Sequence, residues 1–494
     1  MGRAARLGER APLLRTLWLT ALAAAADGVL LAIPLFALLN SAGFVWMLST
    51  ASSPAGWLLA ELSGVQAVLG LLASADLLLT RPPLPQGVEL RRAQAPALFG
   101  LIDRRTAQYR LAPVDRVLLT TDSDIRWIAT PRRILPGTHR HTLCVGLPLL
   151  FFLSHKQFRA RLHSTLGQWY AYRNPLDTYI RRRAADWVQF AAMYGERRLP
   201  AAWLLRRPVT AFARLFARHS AELCRNLDLV RDDCAREVLD DEQLLALIAA
   251  ETVCAGYLDN RFWPMIRAAA ERTPDPVLKP FSNFAVFLDR LLCREDAARW
   301  LLQALAQSAS EAQAHCGLRH RIGVLGYSQL SWSGMPGKPA FHALFDDRAT
   351  GVTRALDGFW QNQVRGEWAG RYRQFQADKT RFRQLHEQAA RQVLSGRRAR
   401  DYVRLAERFL AQDEAVAVLR RLFINNQGDA ALCFECGRRL LAAGDEQGVA
   451  ALETAMQINQ AYANEGAALI SEFERQYRNG AAVRKLYAVS GGAA

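Results

Sequence analysis

Two long apolar runs near the start of the chain restrict what it can fold into. The first covers residues 17–39 and is interrupted by a single acidic residue, Asp27. The second covers residues 57–79 and contains Glu61, Gln66 and Asp76. A hydrocarbon core of about 30 Å needs about twenty consecutive apolar residues of helix. We therefore predict a membrane hairpin in residues 1–80. A cleaved signal peptide followed by a soluble protein is the alternative.

The basic residues that flank these runs predict an orientation. Four arginines precede the first run and three follow the second, whereas residues 40–56 contain neither Lys nor Arg. Cytoplasmic flanks of membrane helices are enriched in Lys and Arg. Both termini and the globular part are therefore expected on the cytoplasmic side. The predicted location of this integral membrane protein is a bacterial inner membrane.

The net charge of +17 comes from 63 basic and 46 acidic residues, and only five of the basic residues are lysines. Arginine runs at 181–183, 206–207 and 397–398 could hold anionic lipid headgroups, so the lipid bilayer is a predicted partner. The arginines are scattered along the chain without a known recognition motif. Nucleic acid is therefore not a predicted partner.

The eight cysteines do not have the spacing of a disulfide framework, which indicates reduced thiols in a cytosolic domain. Cys433 and Cys436 form one C-x-x-C motif. A second cysteine pair or a nearby His at zinc spacing is missing from the sequence around them, so the motif is interpreted as core packing.

After the hairpin, the pattern predicts a mainly α chain of the α+β class. Short apolar and β-branched runs between residues 115 and 153 predict a small antiparallel sheet with a turn at Pro136. Ser154 and Gln157 have the spacing of a capping box, which predicts that a helix begins at about His155. Helical patterns then continue at 178–190, 204–222, 227–238 and 241–254, and a loop is predicted near 326–341.

The last part of the chain, residues 351–494, is predicted to be a helical region. Near residues 430–462 it resembles one tetratricopeptide repeat, with small residues at repeat positions and a turn at Gly444. A single repeat cannot bury its own apolar face, so it must pack on neighbouring helices. We expect a protein partner to bind through this tail.

The two spans, the small sheet and the segment 143–183, LCVGLPLLFFLSHKQFRARLHSTLGQWYAYRNPLDTYIRRR, together resemble the membrane-anchored zinc metallopeptidases related to HtpX and the CAAX prenyl protease. The resemblance covers about residues 15–345. It implies a gluzincin-like helical domain over residues 81–350.

The resemblance also implies where the zinc site of such an enzyme would lie. The helix motif H-E-x-x-H falls on Ser164, Thr165 and Gln168, so neither ligand position holds a His and the base position holds a Thr. A neutral hydroxyl and a carboxamide are poor zinc ligands, and Thr has no basic group near neutral pH. No catalytic residue and no metal ligand of the motif is intact.

The later motif that supplies the third ligand, E-x-x-A-D, falls on Asp228, Arg231 and Asp232. Asp232 keeps the acidic position that supports the ligands, but Asp228 is one methylene shorter than Glu and Arg231 brings a positive charge. We expect Asp228 and Arg231 to pair with each other at i, i+3. Two further family positions are also changed, at Asp124 and at Lys338.

Other histidines do not rebuild a zinc site. His163 lies one position before the expected ligand and His155 two turns earlier, so neither forms an i, i+4 pair. The group His315, Cys316 and His320 lacks a recognised zinc spacing. His386 begins an H-E pair but has Ala where a second His belongs.

The leading hypothesis is a membrane-tethered, non-catalytic metallopeptidase homologue that binds a peptide or protein, without a cofactor. An extended peptide could add to the sheet at the segment Thr142, Leu143, Cys144 and Val145, which is interpreted as an edge strand. One alternative is an active zinc endopeptidase of membrane or misfolded proteins, with Asp228 and either His163 or His155 as ligands. Another alternative is a repeat-type adaptor protein.

Overall fold

The computed structural model describes residues 13–50, 52–79, 84–132, 139–171, 175–196, 200–307 and 317–475. Within them the chain is mainly helical with one small mixed sheet. It divides into two compact units, the first formed by residues 1–267 and 277–364 and the second by residues 268–276 and 365–494.

Helices α1 (Leu13–Thr50) and α2 (Pro54–Leu79) form an antiparallel hairpin at the start of the first unit. Both are long and apolar enough to cross a membrane. They contain the predicted spans, but α1 has 38 residues and is about 57 Å long, nearly twice the thickness of a hydrocarbon core. Its exposed large apolar side chains lie mostly between residues 29 and 48, and those of α2 lie between residues 57 and 72.

The two helices that pack beside this hairpin are α6 (Pro175–Glu196) and α7 (Pro200–Ala235). Their buried apolar side chains share one cluster with Leu19, Ala23, Leu30 and Leu77 of the hairpin. The predicted helices at 204–222 and 227–238 are thus a single helix, α7.

Polar residues of the hairpin are paired with α6. Tyr179 donates a hydrogen bond to Asp27 at 2.6 Å, Arg183 forms an ion pair with the same carboxylate, and Tyr194 donates to Asp76 at 2.7 Å. Arg181 and Arg183 are buried, so the prediction that the arginine run at 181–183 holds lipid headgroups was wrong for these two residues. A buried guanidinium needs a carboxylate partner, and Asp27 provides it.

The sheet contains β1 (Val88–Glu89), β2 (Arg116–Thr120), β3 (Ile125–Pro131) and β4 (His139–Gly146) in the order β1-β2-β4-β3. β2 and β4 are parallel and the other two pairs are antiparallel, so the prediction of an antiparallel sheet was wrong. The predicted turn at Pro136 lies outside the described residues.

The segment Thr142, Leu143, Cys144 and Val145 is not an edge strand, which corrects the sequence prediction. It forms the middle of β4, where Thr142 is paired with Arg116 of β2 on one side and with Ile128 of β3 on the other. All four side chains are buried. β4 lies between β2 and β3 because its apolar residues can be covered on both faces of the sheet there. β3 is therefore an edge strand of the sheet.

Three short helices alternate with or follow the strands in the chain, α3 (Pro96–Tyr109), α4 (Leu147–Phe152) and α5 (His155–Ala171), and α5 packs against β3. The capping box is confirmed: the Ser154 amide donates to Gln157 Oε1 at 2.9 Å, and the Gln157 amide donates to Ser154 Oγ at 3.3 Å. α5 begins at His155, as predicted. The apolar run after Gly146 is a short helix rather than a continuation of the strand.

The remaining helices of the first unit follow α7 in the chain, and the last of them continues into the second unit. They are α8 (Asp241–Tyr257), a π-helical turn (Leu258–Phe262), α9 (Trp263–Ala269), α10 (Phe284–Leu291), α11 (Arg294–Ala306), α12 (Leu318–Val324), α13 (Ala340–Phe345), a 3-10 turn (Asp346–Arg348) and α14 (Ala349–Arg391). Residues 325–339 lack helix and form the predicted loop.

The second unit has its own core. Its further helices are α15 (Gly396–Phe409), α16 (Gln412–Asn425), α17 (Ala430–Ala442) and α18 (Gln447–Ile458), followed by a 3-10 turn (Gln460–Tyr462). The predicted turn is present, with Gly444 at a φ of +80°. Cys433 and Cys436 are fully buried in this core, and burial raises the pKa of Cys436 to about 12, which confirms that the C-x-x-C motif packs.

Candidate functional site

The three substituted motif positions lie on the buried face of α5. Ser164 and Thr165 both donate hydrogen bonds to the carbonyl oxygen of Arg161, at 3.0 and 2.9 Å, and Gln168 donates to the carbonyl oxygen of Thr165 at 3.0 Å. Ser164 and Thr165 are each 1% exposed. These side chains are therefore bonded to the backbone of their own helix.

One turn before Ser164, the Arg161 side chain forms the first part of a buried charged cluster. Its Nη2 donates to Asp124 Oδ1 at 2.6 Å, and its Nε forms an ion pair with Glu251 Oε1 of α8 at 2.6 Å. Burial opposes the charge, but the attraction of Glu251 and Asp124 outweighs it and raises the pKa of Arg161. A cation is thus held firmly beside Ser164 and Thr165.

The end of α7 contributes the second part of the cluster. Arg231 Nη2 lies 3.5 Å from Asp228 Oδ1, so the predicted i, i+3 pair is confirmed. Asp232 accepts two hydrogen bonds from Arg321 of α12, from Nη2 at 2.7 Å and from Nε at 2.8 Å. A bidentate pair of this kind is among the stronger ion pairs in proteins.

The complete cluster consists of three guanidiniums and four carboxylates: Arg161, Arg231, Arg321, Asp124, Asp228, Asp232 and Glu251. The charges of these groups shift one another's pKa values. Burial, together with repulsion from Arg161 and Arg321, lowers the pKa of Arg231. Burial also opposes the charge of Arg321, but Asp232 outweighs this effect and raises its pKa. With all groups ionised, the formal charge of the cluster is −1.

This arrangement does not fit a bound zinc ion. Three guanidiniums are placed among the carboxylates that α7 and α8 would offer to a metal, and a divalent cation there would be repelled by all three. In the part of the chain that the structure describes, no group of three His, Cys, Asp or Glu residues could hold a metal ion.

His163 is directed away from the cluster, toward the opposite side of α5. Its Nε2 lies 2.8 Å from the Tyr109 hydroxyl of α3 and 3.0 Å from Glu237 Oε2. Burial lowers the pKa of His163, and Glu237 opposes this effect. Gly167 allows this side of α5 to approach α3 closely, because a Cβ there would lie 2.9 Å from the Tyr109 hydroxyl oxygen.

The other histidine candidates remain apart from the cluster. His155 lies at the start of α5, two turns before Ser164. His320 lies in the first turn of α12, but His315 and Cys316 lie outside the described residues. His386 lies on α14, with Nδ1 2.8 Å from the Tyr402 hydroxyl oxygen, and its side chain is exposed.

Sequence reasoning singled out four members of the cluster, Asp124, Asp228, Arg231 and Asp232, but missed Arg161, Glu251 and Arg321. Arg161 lies one turn before the substituted motif, so a search of the same helical face could have found it. Glu251 and Arg321 come from helices whose sequence carries no motif, and only folding brings them to α7.

Comparison of the chain with protein-family models, with curated proteins and with solved structures found no match. The resemblance to the zinc metallopeptidases therefore stays a prediction from the motifs.

Proposed function

We propose that this chain is a membrane-tethered, non-catalytic relative of the zinc metallopeptidases, and that it acts as a scaffold that binds an extended peptide or protein segment. Fold and activity are separable, because catalysis depends on particular residues at a site. The charged cluster between α5, α7, α8 and α12 is the observation that carries the proposal.

The cluster supports the absence of zinc chemistry on two grounds. First, the motif positions offer two hydroxyls and an amide that are already bonded to the helix backbone. Second, Arg231 and Arg321 neutralise the carboxylates of α7 on which a third ligand would depend. Hydrolysis by a zinc enzyme needs an open coordination position and a general base, and the residues at these positions provide neither.

The membrane tether is supported by α1 and α2, whose length and apolar composition suit two spans. The distribution of arginines on either side of the hairpin favours cytoplasmic termini and a cytoplasmic globular part. A bacterial inner membrane is the proposed location.

We assign the peptide-binding edge to β3 rather than to β4. β3 has a neighbouring strand on one side only among the described residues, and Thr165 Oγ1 lies 3.4 Å from the Ile125 carbonyl oxygen, so this strand runs beside α5. An unpaired strand edge can accept an extended peptide through backbone hydrogen bonds. The tetratricopeptide-like hairpin of α17 and α18 is the proposed second contact for a protein partner.

The first experiment measures metal and activity. The full chain is purified from membranes in detergent, and zinc content and casein hydrolysis are measured for the wild type and for Asp228→Ala. We expect far less than one zinc per chain and no hydrolysis in either protein. Near-stoichiometric zinc that is lost in Asp228→Ala would overturn the proposal and support the endopeptidase.

The second experiment tests the binding mode. A library of random ten-residue peptides is screened against the full chain, and each peptide that binds is remade with N-methyl groups at alternate residues. Strand addition predicts that one of the two alternating N-methyl series weakens binding at least tenfold, since it removes the amides that pair with β3. Equal binding of both series, or no binding peptide at all, would contradict the peptide-scaffold proposal.

A further inference from the structure

The outer face of α7 carries four exposed arginines that nothing in the proposed binding site uses. They are Arg206, Arg207, Arg214 and Arg218. Among the residues that the structure describes, no carboxylate forms an ion pair with any of the four. Exposed arginines close to a membrane surface attract the headgroups of anionic lipids.

The position of this face relative to the bilayer follows from the packing of α1 on α2. A Cβ on Gly70 would lie 3.0 Å from Ala37 Cβ, so the antiparallel pairing brings Leu77 near the level of Leu30. From Leu30 to the end of α1 at Thr50, the helix rises about 30 Å, which equals the thickness of a hydrocarbon core. The near boundary of that core therefore lies at about the level of Leu30 and Leu77.

The joined ends of α6 and α7 lie at this boundary. Tyr194 of α6 donates a hydrogen bond to Asp76, the neighbour of Leu77, at 2.7 Å, and α7 begins only four residues after α6 ends at Glu196. The other end of the exposed face lies farther from the membrane, since Arg15 Nη2 donates to the His219 carbonyl oxygen at 3.1 Å. α7 thus runs away from the bilayer between residues 205 and 219.

We infer that Arg206 and Arg207 bind the headgroups of anionic phospholipids at the base of the membrane hairpin. Headgroups occupy about 5–7 Å on each side of the core, the layer that the start of α7 reaches. Arg214 and Arg218 lie about 12 and 18 Å farther along the helix axis than Arg206. They attract the same surface only at longer range, where salt screens the attraction. The inference rests on the proposed membrane tether.

The test compares three double substitutions of exposed arginines in the full chain, R206Q/R207Q, R214Q/R218Q and R397Q/R398Q. Each detergent-purified protein is titrated with phosphatidylglycerol and with phosphatidylcholine, and bound lipid is counted by native mass spectrometry. The pair at 397–398 is a matched control because it has the same charge, spacing and exposure as Arg206 and Arg207 but is not on α7.

The wild type is expected to bind phosphatidylglycerol in preference to phosphatidylcholine. R206Q/R207Q should weaken phosphatidylglycerol binding about 30-fold, on the basis of the usual attraction per basic residue at a membrane surface. R214Q/R218Q and R397Q/R398Q should each weaken it less than about threefold, because neither pair belongs to the proposed headgroup site. Unchanged binding in R206Q/R207Q, or equal losses in all three proteins, would overturn the inference.

A separate measurement distinguishes failure of the headgroup site from failure of the proposed membrane tether. Membranes that contain the wild type or R206Q/R207Q are washed with alkaline carbonate, which removes proteins that do not span the bilayer. Release of the wild type would contradict the tether itself. If both proteins stay in the membrane and lipid binding is unchanged in R206Q/R207Q, only the headgroup site is contradicted.

Discussion

Removal of Arg321 is expected to destabilise the first unit strongly, because it leaves the Asp232 carboxylate without its bidentate partner. The side chains of Arg321 and Asp232 are 12% and 9% exposed. Loss of one partner from a buried ion pair costs about 3–5 kcal/mol. An independent estimate agrees, since unit charges about 4 Å apart attract by about 4 kcal/mol at an effective dielectric constant of about 20. We therefore expect Arg321→Leu to cost about 3–5 kcal/mol.

The formal charge of the cluster makes the prediction sharper. Arg321→Leu changes the cluster from −1 to −2, whereas Asp232→Leu changes it from −1 to 0. The Arg321 variant should therefore be the less stable of the two. The double variant keeps the charge at −1 and replaces a buried pair by apolar side chains, a change that is often neutral. We expect it to lie within about 1–2 kcal/mol of the wild type.

Cysteine protection in urea provides the assay, because it separates the two compact units. Alkylation of the buried Cys234 and Cys254 reports on the first unit, and alkylation of Cys433 and Cys436 reports on the second. The urea midpoints of the first pair should fall in the single variants while those of the second pair stay unchanged. A loss below about 1 kcal/mol in Arg321→Leu, or a double variant as unstable as Arg321→Leu, would refute the reasoning.

Two further predictions concern other parts of the chain. Because burial lowers the pKa of His163 below 6.5, the unfolded chain takes up a proton near pH 6.5 that the folded chain does not. The contribution of neutral His163 to the stability of the first unit should be fully present above that pH and should be lost as the pH falls toward the folded pKa. His163→Gln should therefore reduce the pH dependence of the urea midpoint between pH 5 and 8. An unchanged pH dependence in this variant would contradict the prediction. In the second unit, a Cβ on Gly437 would lie 2.9 Å from the Gly448 carbonyl oxygen, so Gly437→Ala should cost about 1–3 kcal/mol by cysteine protection. The control is Gly370→Ala on α14, where a Cβ meets open space; it should stabilise that helix by up to about 1 kcal/mol. If Gly437→Ala were as stable as this control, the close contact between α17 and α18 would not be needed.

Features that depend on neighbours in sequence could be predicted without the structure. The two apolar runs, the capping box that begins α5 and the pair of Asp228 with Arg231 all involve residues within a few turns of one helix. Their geometry follows from helical periodicity and from backbone hydrogen bonding. The substitutions at Ser164, Thr165 and Gln168 are likewise visible in the sequence, since they concern only which residue types occupy a motif.

Features that depend on distant segments were decided by the tertiary structure. The strand with Leu143 and Val145 is visible in the sequence, but only long-range pairing places it between β2 and β3. For this reason β3, and not β4, is an edge strand. Arg183 was expected to face lipid, but packing of α6 on α1 brings it to Asp27. Glu251 enters the cluster because the buried guanidinium of Arg161 requires a carboxylate, and Arg321 enters it because the buried carboxylate of Asp232 requires a cation. Such partners carry no local signal, and the fold alone selects them.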